Sequence, residues 1–172
     1  TAIADASTKP CILYNVPSRT GCNLLPATAA ALAKHPNIVA IKEACGNISQ
    51  IAEIAELTRG KLDLYSGNDD QIVPILSLGG KGVISVLSNI MPKATSEMCH
   101  LYMDGNTKQA TELQLKLLPL ANQLFCEVNP IPVKAAVSKM GYGENYLRLP
   151  LTPMEDAHAE KLYKLMREQN LI

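Results

Sequence analysis

Four short apolar runs, rich in β-branched residues, punctuate the first half of the chain at residues 11–16, 38–42, 62–66 and 82–87. Each gives way to Gly, Asn, Asp, Ser or Pro and then to a stretch with apolar residues at helical spacing. The first helix is expected after Leu25-Pro26, over residues 27–34, with proline in the first turn where its missing N–H loses no bond. The second is capped by Asn47 or Ser49 and sets Ile48, Ile51, Ile54 and Leu57 on one face. A third holds Ile72, Val73, Ile75, Leu76 and Leu78 before the stop signal Gly79-Gly80. A fourth runs from Met91-Pro92 to Asp104-Gly105.

Strand starts at residues 11, 38, 62 and 82 keep the rhythm of βα units. The runs are continuous rather than alternating, as in parallel strands covered on both faces. Four units in series make half of a (β/α)₈ barrel or most of a doubly wound sheet. No G-x-G-x-x-G or Walker-type loop follows any strand, which weighs against a nucleotide site. From Asn106 the pattern is helical only. Residues 107–126 are Leu-rich, Asn129-Pro-Ile-Pro132 opens a helix that reaches Lys139, and a last helix over 154–169 follows the break at Leu149-Pro-Leu-Thr-Pro153. The expected organisation is a portion of four βα units at residues 1–105 and a helical appendage packed on it at 106–172, with no flexible linker between them.

Acidic and basic residues balance at 16 each without a charged block, which argues against nucleic acid or an anionic membrane surface as partner. No apolar run reaches the roughly 18 residues of a membrane-spanning helix. The chain opens on Thr-Ala-Ile-Ala-Asp-Ala with no leader to read, in the manner of a helix end inside a longer protein. Cysteines 11, 22, 45, 99 and 126 form neither a C-x-x-C pair nor a disulfide framework and are expected as reduced core filler in a cytoplasmic protein. His35, His100 and His158 lack ligand spacing; they are expected to face solvent, and no metal is expected.

In a barrel the reacting groups gather at the C-terminal ends of the strands. Lys42 ends the second run. A lysine finishing a buried strand loses hydration, which favours an uncharged amine able to attack a carbonyl. The other reading pairs it with Glu43 or with a glutamate on a neighbouring strand. Tyr14 holds the equivalent place on the first run, either as a proton shuttle or as a packed strand tyrosine. Arg19, in the following loop, is a bidentate carboxylate clamp or a solvated surface arginine. Gly67 closes the third run and permits close approach of a ligand to the backbone, while Asp69 and Asp70 can instead cap the next helix.

Taken together, Tyr14-Asn-Val-Pro-Ser-Arg-Thr-Gly21, Ile41-Lys-Glu-Ala44, Tyr65-Ser-Gly67 and Gly82-Val-Ile-Ser85 resemble the dihydrodipicolinate synthase family, within the pyruvate-dependent class I aldolase superfamily. The likeness continues through Asn129-Pro-Ile-Pro-Val-Lys-Ala135 and Leu147-Arg-Leu-Pro-Leu-Thr-Pro153, so it covers essentially the whole chain. It implies the C-terminal half of a TIM barrel, strands five to eight, followed by the helical appendage. It implies that Lys42 forms a Schiff base with pyruvate, whose enamine attacks aspartate 4-semialdehyde to give hydroxytetrahydrodipicolinate, a step of lysine biosynthesis. Tyr14 is then the proton-relay tyrosine, Arg19 the anchor of the semialdehyde carboxylate, and Gly67 with the backbone carbonyl of Ile84 the lining of the pocket.

No cofactor is implied, since the lysine supplies the carbonyl chemistry, and the implied assembly is a homotetramer. Sialic acid lyases share the tyrosine and the lysine but usually carry another residue at the position of Arg19, so Arg19 favours the synthase over other pyruvate aldolases. The departure from the family is an upstream half, with its Gly-Thr-Thr segment, a tyrosine supplied across the dimer interface and the lysine-feedback residues. The chain by itself is accordingly expected to lack turnover and to dimerise through its open sheet edges, recruit the missing half or aggregate. The alternatives are another pyruvate-dependent aldolase of the superfamily, sialic acid lyase-like, or a non-catalytic half-barrel fragment.

Overall fold

All four apolar runs contribute strands in the computed structural model, which describes residues 1–172. They are β1 (Cys11–Asn15), β2 (Ile38–Glu43), β3 (Asp63–Ser66) and β4 (Gly82–Val83), hydrogen-bonded in parallel in the order β1-β2-β3-β4. Helix α1 (Ala2–Ala6) precedes β1, α2 (Pro17–Thr20) and α3 (Pro26–Leu32) follow it, α4 (Ile48–Thr58) follows β2, and α5 (Ile72–Ser77) follows β3. Tertiary contacts divide the chain into two compact units, Thr1–Ile84 and Ser85–Ile172. In the first, Leu13, Ile41 and Leu64 are cross-strand partners that pack with Ala29, Ile51, Ile54 and Ile75 from the helices. Because side chains alternate along a strand, Ile12, Tyr14, Lys42 and Tyr65 point to the opposite face. That face is open in this chain: Ile12 is 53% exposed and Tyr14 50%.

Helix boundaries follow the punctuation. Pro17 and Pro26 stand in the first turns of α2 and α3, and Gly21 ends α2 in the left-handed region at φ 67°, its N–H on the Pro17 carbonyl. Helix α2 falls where a plain loop is expected. Asn47, not Ser49, caps α4: its side-chain oxygen accepts from Gln50 N at 3.1 Å. The buried face of α4 is Ile51, Ile54 and Thr58, while Leu57 is 44% exposed. Three-residue steps drift around a helix of 3.6 residues per turn, so the face must take a four-residue step to stay on the core. Thr58 satisfies its hydroxyl there by donating to the Ile54 carbonyl at 2.8 Å.

The fourth strand is much shorter than the run at 82–87. Its partner β3 ends at Ser66, so the ladder closes with Ile84 N donating to the Ser66 carbonyl at 2.8 Å. Ser85 then accepts from Ser88 N on its hydroxyl at 2.8 Å, which draws the chain into a 3₁₀ turn at Leu87–Asn89.

The second unit holds α6 (Pro92–Met103), α7 (Thr107–Gln123), α8 (Ile131–Lys139) and α9 (Asp156–Glu168). Helix α7 packs on α6 and α9, and α9 on α8, burying Met98, Leu117, Leu120, Leu162 and Met166. No helix is long and apolar enough to cross a membrane.

Two expectations about polar residues are corrected. His35 does not face solvent: its side chain is mostly buried, with Nε2 2.8 Å from Asp5 and Nδ1 accepting from Asn37 N at 3.1 Å. The cysteines are not uniformly core filler, since Cys99 is buried but Cys22 and Cys126 are exposed.

Candidate active site

Parallel pairing sets one residue from each strand in a single row across the sheet. Tyr14 pairs with Lys42, Lys42 with Tyr65, and Tyr65 with Gly82. In β1, β2 and β3 the row lies one residue from the C-terminal end of the strand. There the Lys42 amine stands over the Tyr14 ring, 4.1 Å from its centroid. The electron-rich face of a phenol attracts a cation and orients an amine. Thus Lys42 and Tyr14, singled out separately in the sequence, are brought together.

Glu43 does not pair with Lys42. Adjacent strand residues face opposite sides of a sheet, and the Glu43 side chain turns to the helix-covered face, fully buried. It accepts from Asn15 Nδ2 at 2.6 Å and from Cys45 N at 3.3 Å. Of the two readings of Lys42, the local ion pair is thereby removed. Burial, with a hydrogen bond to Glu43, pushes the Cys45 thiol up to about 11, so it is no thiolate nucleophile at neutral pH.

Gly67 lies beside the lysine stem. Its N–H donates to the Glu43 carbonyl at 2.6 Å, which draws the turn after β3 against the end of β2. A Cβ built on Gly67 would stand 2.7 Å from Ala44 Cβ and 3.1 Å from Lys42 Cε. The first is a clash, and the second would press the lysine stem back by a few tenths of an ångström. Ile84 follows β4, its N–H on the Ser66 carbonyl and its side chain exposed. Arg19 is exposed in the last turn of α2, four residues past the end of β1. Asp69 and Asp70 begin a 3₁₀ turn ahead of α5, and no side chain caps that helix.

Two features escape sequence reading: Tyr65 as a member of the row, and the buried Asn15–Glu43 pair beneath it. The signal for both was register, since residues at matching distances from their strand ends become neighbours. No group of three or more His, Cys, Asp or Glu side chains is placed to hold a metal ion.

An amine beside a phenol, above a close-packed glycine turn, has the parts for carbonyl addition with proton transfer. Comparison with known proteins gives this geometry a family. The model of the dihydrodipicolinate synthetase family matches residues 1–169. The 4-hydroxy-tetrahydrodipicolinate synthase of Alkaliphilus oremlandii is 56% identical over 172 residues, all of this chain and 59% of the relative. The crystal structure of dihydrodipicolinate synthase from Thermotoga maritima superposes with a TM-score of 0.97 at 45% identity, over 99% of this chain and 59% of that one. The chloride-inhibited enzyme of Acinetobacter baumannii, solved with pyruvate, gives 0.96 at 44% identity over 99% and 59% of the two chains. The chain thus spans about 59% of the length of the relatives it matches. With an α/β fold and parallel sheet in common with these structures and a family match along nearly its whole length, the chain belongs to the dihydrodipicolinate synthetase family.

Proposed function

We propose that this chain is the C-terminal half, strands five to eight, of a (β/α)₈-barrel lyase that condenses pyruvate with aspartate 4-semialdehyde to hydroxytetrahydrodipicolinate in lysine biosynthesis. Residues 1–105 supply four βα units and residues 106–172 the helical appendage. A strand order that never reverses supports the barrel over the doubly wound alternative. The observation that carries the reading is the Lys42 amine held 4.1 Å from the Tyr14 ring centroid at the end of an interior strand. The pyruvate complex of the Acinetobacter baumannii relative supports the keto acid as substrate.

In the proposed reaction Lys42 Nζ adds to the ketone carbon of pyruvate, and the carbinolamine loses water to leave the imine. The imine draws electrons from the methyl group, which gives up a proton and becomes an enamine. The enamine carbon bonds to the aldehyde carbon of the semialdehyde, whose oxygen takes up a proton, and the product cyclises and releases the lysine. Tyr14 relays the protons, with relay partners that belong to the upstream half of the enzyme. Gly67 and the carbonyl of Ile84 line the pocket. A cytoplasmic homotetramer is part of the same proposal. Pyruvate with borohydride should attach a reduced adduct to the full-length protein on the peptide bearing Lys42. An adduct on Lys81 or Lys134 instead would overturn the assignment.

Arg19 anchors the carboxylate of the semialdehyde through two parallel hydrogen bonds. In the full-length enzyme Arg19→Ala should raise KM for the semialdehyde far more than KM for pyruvate. A charge-assisted contact of this kind contributes about 1.5–3 kcal/mol. That is roughly a tenfold to hundredfold loss in kcat/KM for the semialdehyde. Steady-state kinetics with each substrate varied would read it, and equal losses for both substrates would reject the role.

A further inference from the structure

The row next to Tyr14, Lys42 and Tyr65 is polar and buried. Asn15, Glu43 and Ser66 are partners across β1, β2 and β3, turned to the helix-covered face with exposures of 2%, 0% and 0%. A carboxyl group among aliphatic side chains is destabilising unless both oxygens are met. Here Oε1 of Glu43 accepts from Asn15 Nδ2 at 2.6 Å and Oε2 from Cys45 N at 3.3 Å. Asn15 is equally committed: its oxygen accepts from Leu24 N at 2.9 Å, and its amide also donates to Asn23 Oδ1 at 3.0 Å. Asn23 in turn exchanges two hydrogen bonds with Gln50 of α4, at 2.8 and 3.1 Å. One peptide separates this network from the site, since Asn15 follows Tyr14 and Glu43 follows Lys42. The Glu43 carbonyl also receives the Gly67 N–H.

We infer that Asn15 and Glu43 are positioning residues for the reaction: their hydrogen bond beneath the sheet fixes the ends of β1 and β2 and so holds the Lys42 amine over the Tyr14 ring. The inference rests on Lys42 being the imine-forming residue. The lysine stem is long and flexible, so the place where it leaves the backbone decides where its amine arrives. A parallel ladder of repeating backbone bonds tolerates small displacement, whereas a buried, fully satisfied polar pair has one arrangement. The pattern of donors requires these side-chain types. An amide at position 43 would turn its NH₂ toward either Asn15 Nδ2 or Cys45 N, both donors. Exchanging the two types, as N15D/E43Q, restores the match: the new amide donates to the new carboxylate and accepts from Cys45 N, and Asn23 and its partner Gln50 both reverse their amides.

The test is the rate of borohydride trapping with saturating pyruvate in the full-length enzyme, for the parent, E43Q and N15D/E43Q. E43Q should lower the trapping rate constant about tenfold to hundredfold, the scale expected when a reacting group moves by about 1 Å. The half-saturating pyruvate concentration should change less than about twofold, on the same ground that the amine, and not the pyruvate pocket, has moved. The double substitution should recover most of the rate. A merely structural role would lower the fraction of enzyme that traps and leave the rate constant of the remainder unchanged. The proposal fails if E43Q traps at the parent rate constant. It fails equally if the double variant traps no faster than E43Q or does not fold. If the parent itself carries its adduct on another lysine, the imine assignment fails first, and mapping the adduct separates the two cases.

Discussion

Lys42→Arg in the full-length enzyme should leave a folded protein that forms no borohydride-stable adduct with pyruvate and has lost condensation by more than about a thousandfold, or roughly 4 kcal/mol of barrier. Arginine is the discriminating substitution. Its guanidinium keeps the positive charge and stacks on aromatic faces, so the contact with the Tyr14 ring, 4.1 Å from amine to centroid, has a substitute. It is protonated at every accessible pH and offers no lone pair for carbonyl addition. Contact with the ring contributes only about 0.5–1 kcal/mol at an exposed site, so even its complete loss cannot account for a thousandfold effect. Loss of turnover with the melting temperature within a few degrees of the parent's supports the nucleophilic role. Retention of more than a few per cent of the activity, or of the adduct, would show that Lys42 only organises charge.

The fold was legible where local chemistry decides it. Pro26 and Pro92 open helices, Gly79 and Gly105 take positive φ at or next to helix ends, and Asn47 caps α4. Misreadings arose where a partner decides. β4 stops after two residues because β3 ends first, and Thr58 replaces Leu57 on the core because the sheet beneath α4 selects the angle. The same division holds for the site. Lys42 and Tyr14 could be picked singly by their places at the ends of apolar runs, and the family resemblance then joined them. The Asn15–Glu43 bond spans 28 residues of sequence and follows only from register. No pattern within one strand carries it. His35 escaped for a similar reason: its partner Asp5 lies 30 residues away on α1.

Gly67→Ala should damage both stability and chemistry, and a second glycine provides the comparison that separates them. At Gly67 the added methyl would meet Ala44 Cβ at 2.7 Å, the Glu43 carbonyl oxygen at 3.0 Å and Lys42 Cε at 3.1 Å. The first two are fixed by the backbone. Relief therefore has to move the turn or the end of β2 from which Lys42 departs, and with it the amine. Overpacking of this kind destabilises by about 1–3 kcal/mol. Displacing a reacting group by about 1 Å lowers its rate on the order of a hundredfold. At Gly80 an added methyl would crowd Ile75 instead, 2.7 Å from its carbonyl oxygen and 2.8 Å from Cγ2, with no lysine in contact. Gly80→Ala should therefore lose comparable stability yet keep the parent rate constant for trapping with pyruvate. Thermal melts give the first quantity and borohydride quench time courses the second, both on the full-length enzyme. Equal trapping rate constants in the two variants would mean that Gly67 serves only the packing of its turn. A slow rate confined to Gly67→Ala would assign the glycine to the path of the Lys42 side chain.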